Sequence, residues 1–190
     1  ANTSDFDPKT NRVDYADLSS VDQYMAVKFN RFLKHMREYM DQYDFLDSYK
    51  LLINFVNNDL SAFYMNVAKD VLYIDGEDSQ TRRSMQTVFY DILVGMTKLL
   101  TPFLPHTTEE VWEYLPEPEE YVQLTEIPEA VSFDQEDELL ATWDAFMELR
   151  SHILKALEEA RDAKLIGRSL EAEADLYVTP SQQTTLDNLN

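Results

Sequence analysis

A chain of 190 residues that is 44% hydrophobic can bury a sizeable core, and its length fits one domain plus an appendage. It has no cysteine and only three glycines, which excludes disulfides, thiolate metal centres, phosphate-cradling glycine loops and dinucleotide fingerprints. A net charge of −20 argues against attraction of nucleic acid by a general field.

The first 17 residues read as a polar arm with a turn at Asp7-Pro8. They lack the charged and apolar regions of a signal peptide, and no run of about 18 apolar residues follows, so no membrane partner is expected. The absence of cysteine fits a reducing cytoplasm. Ser19 to Asp22 is an S-x-x-D helix start. Tyr24, Met25, Phe29, Phe32, Leu33 and Met36 then repeat at helical spacing and predict a first helix over about 21–41. Its opposite arc carries Asn30, Arg31, Lys34 and Arg37, and the segment 28–37 holds four basic residues and no acid.

A second helix is predicted over about 46–73, with Tyr49, Leu52, Phe55, Leu60, Phe63, Tyr64 and Val67 on its apolar side. Asp75-Gly76 is a turn, and Asp78 or Ser79 caps a third helix that runs to about Leu100. Gly95 inside this helix lowers its propensity by about 1 kcal/mol and marks a close helix crossing.

Pro102 and Pro105 stop that helix and turn the chain. Thr107 and Glu110 form a T-x-x-E box for a short fourth helix, whose Trp112 is expected to be buried against the second or third helix. His106 at this corner reads as a polar residue satisfied at a helix start, and neither His35 nor His152 lies at a ligand spacing from it. The stretch 116–136 is rich in proline and glutamate and reads as a surface loop. A fifth helix over about 137–164 is expected to stop at Gly167, and residues 170–178 alternate as a strand does. Pro180 ends that strand, and a last helix begins near Ser181. The predicted fold is therefore mainly α: an antiparallel helical bundle over 18–164 behind an arm at 1–17, with a small α/β start at 165–190.

The charge is uneven. Residues 99–149 hold 14 acids and no lysine or arginine, whereas the rest of the chain has 16 basic residues against 22 acidic ones. Composition alone favours an interaction module whose acidic lobe binds a basic partner. No nucleophile–base set or metal cluster supports a free-standing enzyme, so no catalytic residue and no metal ligand is expected within the chain.

Four stretches in order point elsewhere: DLSAFYMNVAKDVLY (59–73), RRSMQTVFYDIL (82–93), LLTPFLPHTTEEVWEYLP (99–116) and ALEEARDAKLIGRSLEAE (156–173). Together they resemble the region after the catalytic domain in class I aminoacyl-tRNA synthetases for branched aliphatic amino acids, the bacterial isoleucine family above all. The DFDP and DLSAFY stretches favour isoleucine over valine, the nearest rival. The family's HIGH and KMSKS adenylation motifs, its editing domain and its cysteine-rich zinc module have no counterpart here. The resemblance implies a non-catalytic anticodon-binding domain with the start of a C-terminal junction. It places ATP, magnesium and zinc in other parts of the full enzyme, a monomer, and it makes isoleucine tRNA, not DNA, the partner.

An anticodon loop is single-stranded. Its bases are read at their edges or stacked on aromatics, and its phosphates are held by arginine and lysine. The candidates for this contact are Asn30, Arg31, Lys34 and Arg37 on the first helix. Arg82 and Arg83 at the start of the third helix, and Arg161, Lys164 and Arg168 around the I-G-R-S turn, complete the set. For each of them a solvated helix face is the competing reading.

Overall fold

The structure is a computed structural model, and it describes residues 3–116, 120–168 and 171–189. The chain forms two compact units, residues 1–133 and 134–190. In chain order the helices are α1 (Ser20–Asp41), α2 (Phe45–Asn54), a π segment (Phe55–Tyr64), α3 (Met65–Ile74), α4 (Gln80–Leu100), α5 (Pro105–Trp112), α6 (Glu136–Asp162) and α7 (Pro180–Asp187). Short 3-10 turns stand at Tyr15–Asp17 and Val122–Leu124.

In the first unit, α1 packs on α2 and α4, α3 packs on α4, and α4 packs on α5. Links of three residues (42–44) and five residues (75–79) join these partners, which makes the packed neighbours antiparallel. The core is strongly aromatic. Phe32 stacks on Phe55 with centroids 4.4 Å apart, and Tyr64 stacks on Phe89 at 5.0 Å. Gly95 lies where α1 crosses α4: a Cβ there would stand 2.6 Å from Cζ of Phe29, so the predicted close crossing is real.

The predicted second helix is one continuous rod with a π-helical middle. In a π segment each N–H reaches back five residues, so the apolar positions drift out of phase with a 3.6-residue stripe. Phe55, Phe63, Tyr64, Ala68 and Leu72 face the core, while Tyr49, expected inside, is 61% exposed.

The proline corner begins its helix earlier than expected. Pro105 takes the first helical position, where a preset φ helps and the missing N–H is not needed. Thr107 therefore lies inside the first turn and does not cap. Thr108 is the buried one, and its hydroxyl donates to the Leu104 carbonyl at 3.0 Å. Trp112 is buried as predicted, with Nζ of Lys98 from α4 5.5 Å from its ring centroid.

In the second unit, α6 ends before Gly167. Lys164 takes the left-handed conformation, φ 58°, and the N–H groups of Leu165 and Lys164 bond the carbonyls of Ala160 and Arg161, both at 2.9 Å. This is a Schellman ending in which lysine stands where glycine is the usual choice. The expected strand over 170–178 does not form among the described residues. Residues 172–179 have no regular structure, because a strand needs a neighbour for its backbone groups and none of the described residues pairs with it. Ser169 and Leu170 lie outside the described residues. The final helix does form. Thr179 caps it in a reciprocal box with Gln182, and Pro180 occupies the first turn.

Candidate functional site

The S-x-x-D start of α1 builds a buried polar hub. Ser19 caps the helix, but the Asp22 carboxylate does not return to the Ser19 N–H, which donates instead to the Ser84 hydroxyl at 2.9 Å. Asp22 is 0% exposed and accepts three hydroxyl hydrogen bonds of 2.6 Å, from Ser19, from Ser84 of α4 and from Tyr64 of the π segment. Burial pushes the Asp22 carboxyl above its ordinary range, and the three hydroxyls, which favour the charged form, offset only part of that. The same burial, together with the neighbouring Asp22 charge, pushes the Tyr64 phenol well up. The hub joins α1, the π segment and α4 through one carboxylate.

Arg82 and Arg83 are engaged by the N-terminal arm. Arg82 grips the Asp5 carboxylate at 3.0 and 3.1 Å and also donates to the Leu72 carbonyl near the end of α3. Arg83 donates to the Asp5 carbonyl and to Gln86 Oε1, each at 2.8 Å, and the Gln86 amide returns to Asp5 at 2.9 Å. Burial alone would raise the Asp5 carboxyl; hydrogen bonds from Arg82 and Gln86 outweigh it and hold Asp5 below the ordinary carboxylate range. Two of the expected RNA contacts thus clamp the arm to α3 and α4.

The basic arc of α1 divides in the same way. Asn30 exchanges two hydrogen bonds with the backbone of Val131, its Oδ1 accepting from the Val131 N–H at 2.7 Å. Arg37 donates to the carbonyls of Ile127 and Pro128 at 2.9 and 3.2 Å. Seven residues of helix rise about 10 Å, and three or four residues of extended chain cover about the same distance. The two side chains therefore strap residues 127–131 along α1. Beneath the strap lies a cavity of about 370 Å³ lined by Gly95, Phe29, Lys98 and Pro128 among others. Of the remaining two, Arg31 is half-buried and Lys34 is exposed. In the second unit, exposed Arg161 stands 3.7 Å from Glu158, Lys164 closes α6, and exposed Arg168 donates its backbone N–H to Glu171 at 3.2 Å.

One feature of the surface escaped the sequence reading. After α1 the chain closes in a second Schellman ending, with Tyr43 at φ 57° and the N–H groups of Asp44 and Tyr43 bonded to Tyr39 and Met40. Tyr43, Phe45 and Phe103 meet edge to face there, with centroids 6.3 and 6.1 Å apart, and they are 79%, 55% and 42% exposed. The available signal was two aromatics in the three-residue interval Tyr43 to Phe45, between two helical stripes and in neither. Among the described residues no three His, Asp or Glu side chains gather as a metal-ligand set, and no helix is long and apolar enough to cross a membrane.

A family model for the anticodon-binding domain of tRNA ligase matches residues 22–176. The chain belongs to this family. Curated relatives over the whole chain are isoleucine–tRNA ligases: that of Limosilactobacillus reuteri is 70% identical, that of Lactiplantibacillus plantarum 62% and that of Streptococcus thermophilus 55%. The chain spans about a fifth of the length of these relatives, 20–21%. Of the candidate cations, Lys34, Arg161, Lys164 and Arg168 are exposed, and the aromatic corner presents uncharged ring faces.

Proposed function

We propose that this domain recognises the anticodon stem–loop of isoleucine tRNA within an isoleucine–tRNA ligase, a cytoplasmic and monomeric enzyme that joins isoleucine to its tRNA using ATP and magnesium. The observation that carries this reading is the identity of 70% over all 190 residues to a protein named isoleucine–tRNA ligase. The domain's own part is binding. A chain without cysteine offers no thiolate donors for a structural zinc, and zinc, like ATP and magnesium, is assigned in this reading to other regions of the ligase.

In this reading Arg31 and Lys34 of α1, and Arg161, Lys164 and Arg168 at the end of α6, meet phosphates. Asn30, Arg37, Arg82 and Arg83 act one step back by holding the strap and the arm in place. With a net charge of −20 the contact is local, and each phosphate partner adds about one unit to the slope of log affinity against log salt.

The test is a titration of the complete ligase carrying this domain against isoleucine tRNA and valine tRNA at several salt concentrations. Isoleucine tRNA is expected to bind more tightly, and the Arg31→Ala/Lys34→Ala variant to lose affinity with a shallower salt slope. Equal binding of both tRNAs would overturn the specificity. A variant with wild-type affinity and slope would make α1 a solvated face.

A further inference from the structure

The corner formed by Tyr43, Phe45 and Phe103 has no structural task that explains its composition. Tyr43 is largely exposed and Phe45 and Phe103 are about half exposed, so none of the three belongs to the buried core. Tyr43 carries a second anomaly. Its backbone is left-handed at a helix end where glycine is the ordinary occupant, and a bulky side chain in that conformation is disfavoured by about 1–2 kcal/mol. Burial does not offset this, because the ring is 79% exposed. The strained backbone and the outward ring together point to a ring displayed for a partner.

The charge around the corner selects the kind of partner. Asp44 is spent as the cap of α2, accepting from the Asp47 N–H at 3.1 Å, and Asp47 is paired with Lys50 at 2.8 Å. Lys34 and His35 are exposed on the helix that leads to the corner, and His106 is exposed just beyond Phe103. Glu38 and Asp41 are also exposed on the last turns of α1, so a phosphate is disfavoured at the corner itself, and the contact surface that it presents is uncharged π faces. A nucleobase fits that surface; a phosphate does not.

We infer that Tyr43, Phe45 and Phe103 form a stacking platform for unpaired bases of the anticodon loop, with Lys34 placed to hold the adjoining backbone. The inference rests on the tRNA reading above and names the part of the surface that meets bases. Stacking on an aromatic ring accounts for about 1–3 kcal/mol per base, so removing one ring weakens binding about tenfold. No phosphate contact is lost with it, so the salt slope stays as it was.

The test uses the complete ligase and isoleucine tRNA carrying 2-aminopurine at single unpaired anticodon-loop positions. The expected result is fluorescence quenching on binding at one or more positions, relieved by Tyr43→Gly and by Phe45→Leu/Phe103→Leu. Each variant is expected to lose about tenfold or more in tRNA affinity at an unchanged salt slope. Tyr43→Gly relaxes the helix end, so this variant folds at least as well as the parent and cannot lose binding through unfolding. Phe45→Leu/Phe103→Leu keeps apolar area while removing π faces, which separates stacking from plain packing. Wild-type tRNA binding with unchanged affinity and quenching in both variants would overturn the platform. So would variants whose change appears in sedimentation or thermal melting alone, which would make the corner a contact with another protein surface. Failure of the wild-type ligase to prefer isoleucine tRNA would overturn the underlying tRNA reading instead.

Discussion

Asp22 and Asp5 each bind several elements of the first unit together, and they do so with opposite chemistry. Asp22 is sealed among three hydroxyls that carry no charge, so the folded chain disfavours its anion despite three short hydrogen bonds. Asp5 lies nearer water, yet two guanidiniums and an amide make its anion the preferred form. Hydrogen bonds and burial pull a carboxylate in opposite directions, and the depth of burial decides which of them prevails. A buried carboxylate ringed by hydroxyls gives geometry: its three donors come from the start of α1, the π segment and α4. The partly buried clamp gives attachment, fastening the arm to α3 and α4.

Removing the buried acid should have the largest effect. Asp22→Ala leaves three hydroxyls without their acceptor, and the expected loss is about 3 kcal/mol or more in urea unfolding followed by circular dichroism. Tyr64→Phe deletes one hydrogen bond to a charged acceptor and keeps the ring stack on Phe89, so about 1.5–3 kcal/mol is expected. A loss as large as that of Asp22→Ala would mean that the phenol, and not the carboxylate, organises the hub. Arg82→Ala should lose only about 1 kcal/mol globally, since the clamp is partly solvated, but it should release the arm to rapid backbone hydrogen exchange at residues 5–7. Arm protection that persists in the variant would transfer the clamp to Arg83 and Gln86.

The two acids should also respond to pH with opposite sign. Between the ordinary carboxylate value, about 3.9, and its own raised value, Asp22 keeps in the folded chain a proton that the unfolded chain has released. Its contribution to stability therefore falls as pH rises through that window. Asp5 is the reverse: its contribution is present above about 3.9 and is lost as pH falls from there through its lowered value. Unfolding free energies measured across this range should flatten on the acid side in Asp5→Asn and on the higher side in Asp22→Asn. The same slope in both variants would remove the distinction. The smallest effect lies outside both acids: Lys164→Gly should stabilise the end of α6 by about 0.5–1 kcal/mol, read as slower exchange of the Leu165 amide.

Most of the helices were legible in the sequence because their signals are local. Caps, prolines and apolar periodicity act over three to five residues, and they located α1, α4, α5, α6 and α7 to within a few positions. The family stretches are local strings in the same sense, and they brought the expectation of an anticodon-binding domain with them. The contacts of the charged residues were a different matter. Arg37 meets a carbonyl 90 positions away and Arg82 a carboxylate 77 positions away, and nothing in the sequence near an arginine says whether its guanidinium will face solvent or another segment. The two left-handed helix ends also had no glycine to mark them, because Tyr43 and Lys164 are held there by hydrogen bonds that exist only once the preceding helix has formed. The outward face of Tyr49 was hidden by the π segment, since its longer hydrogen-bond step shifts the apolar stripe without any change in composition. Local preference determined where this chain is helical. Long-range satisfaction of charge and backbone decided which cations remain on the surface.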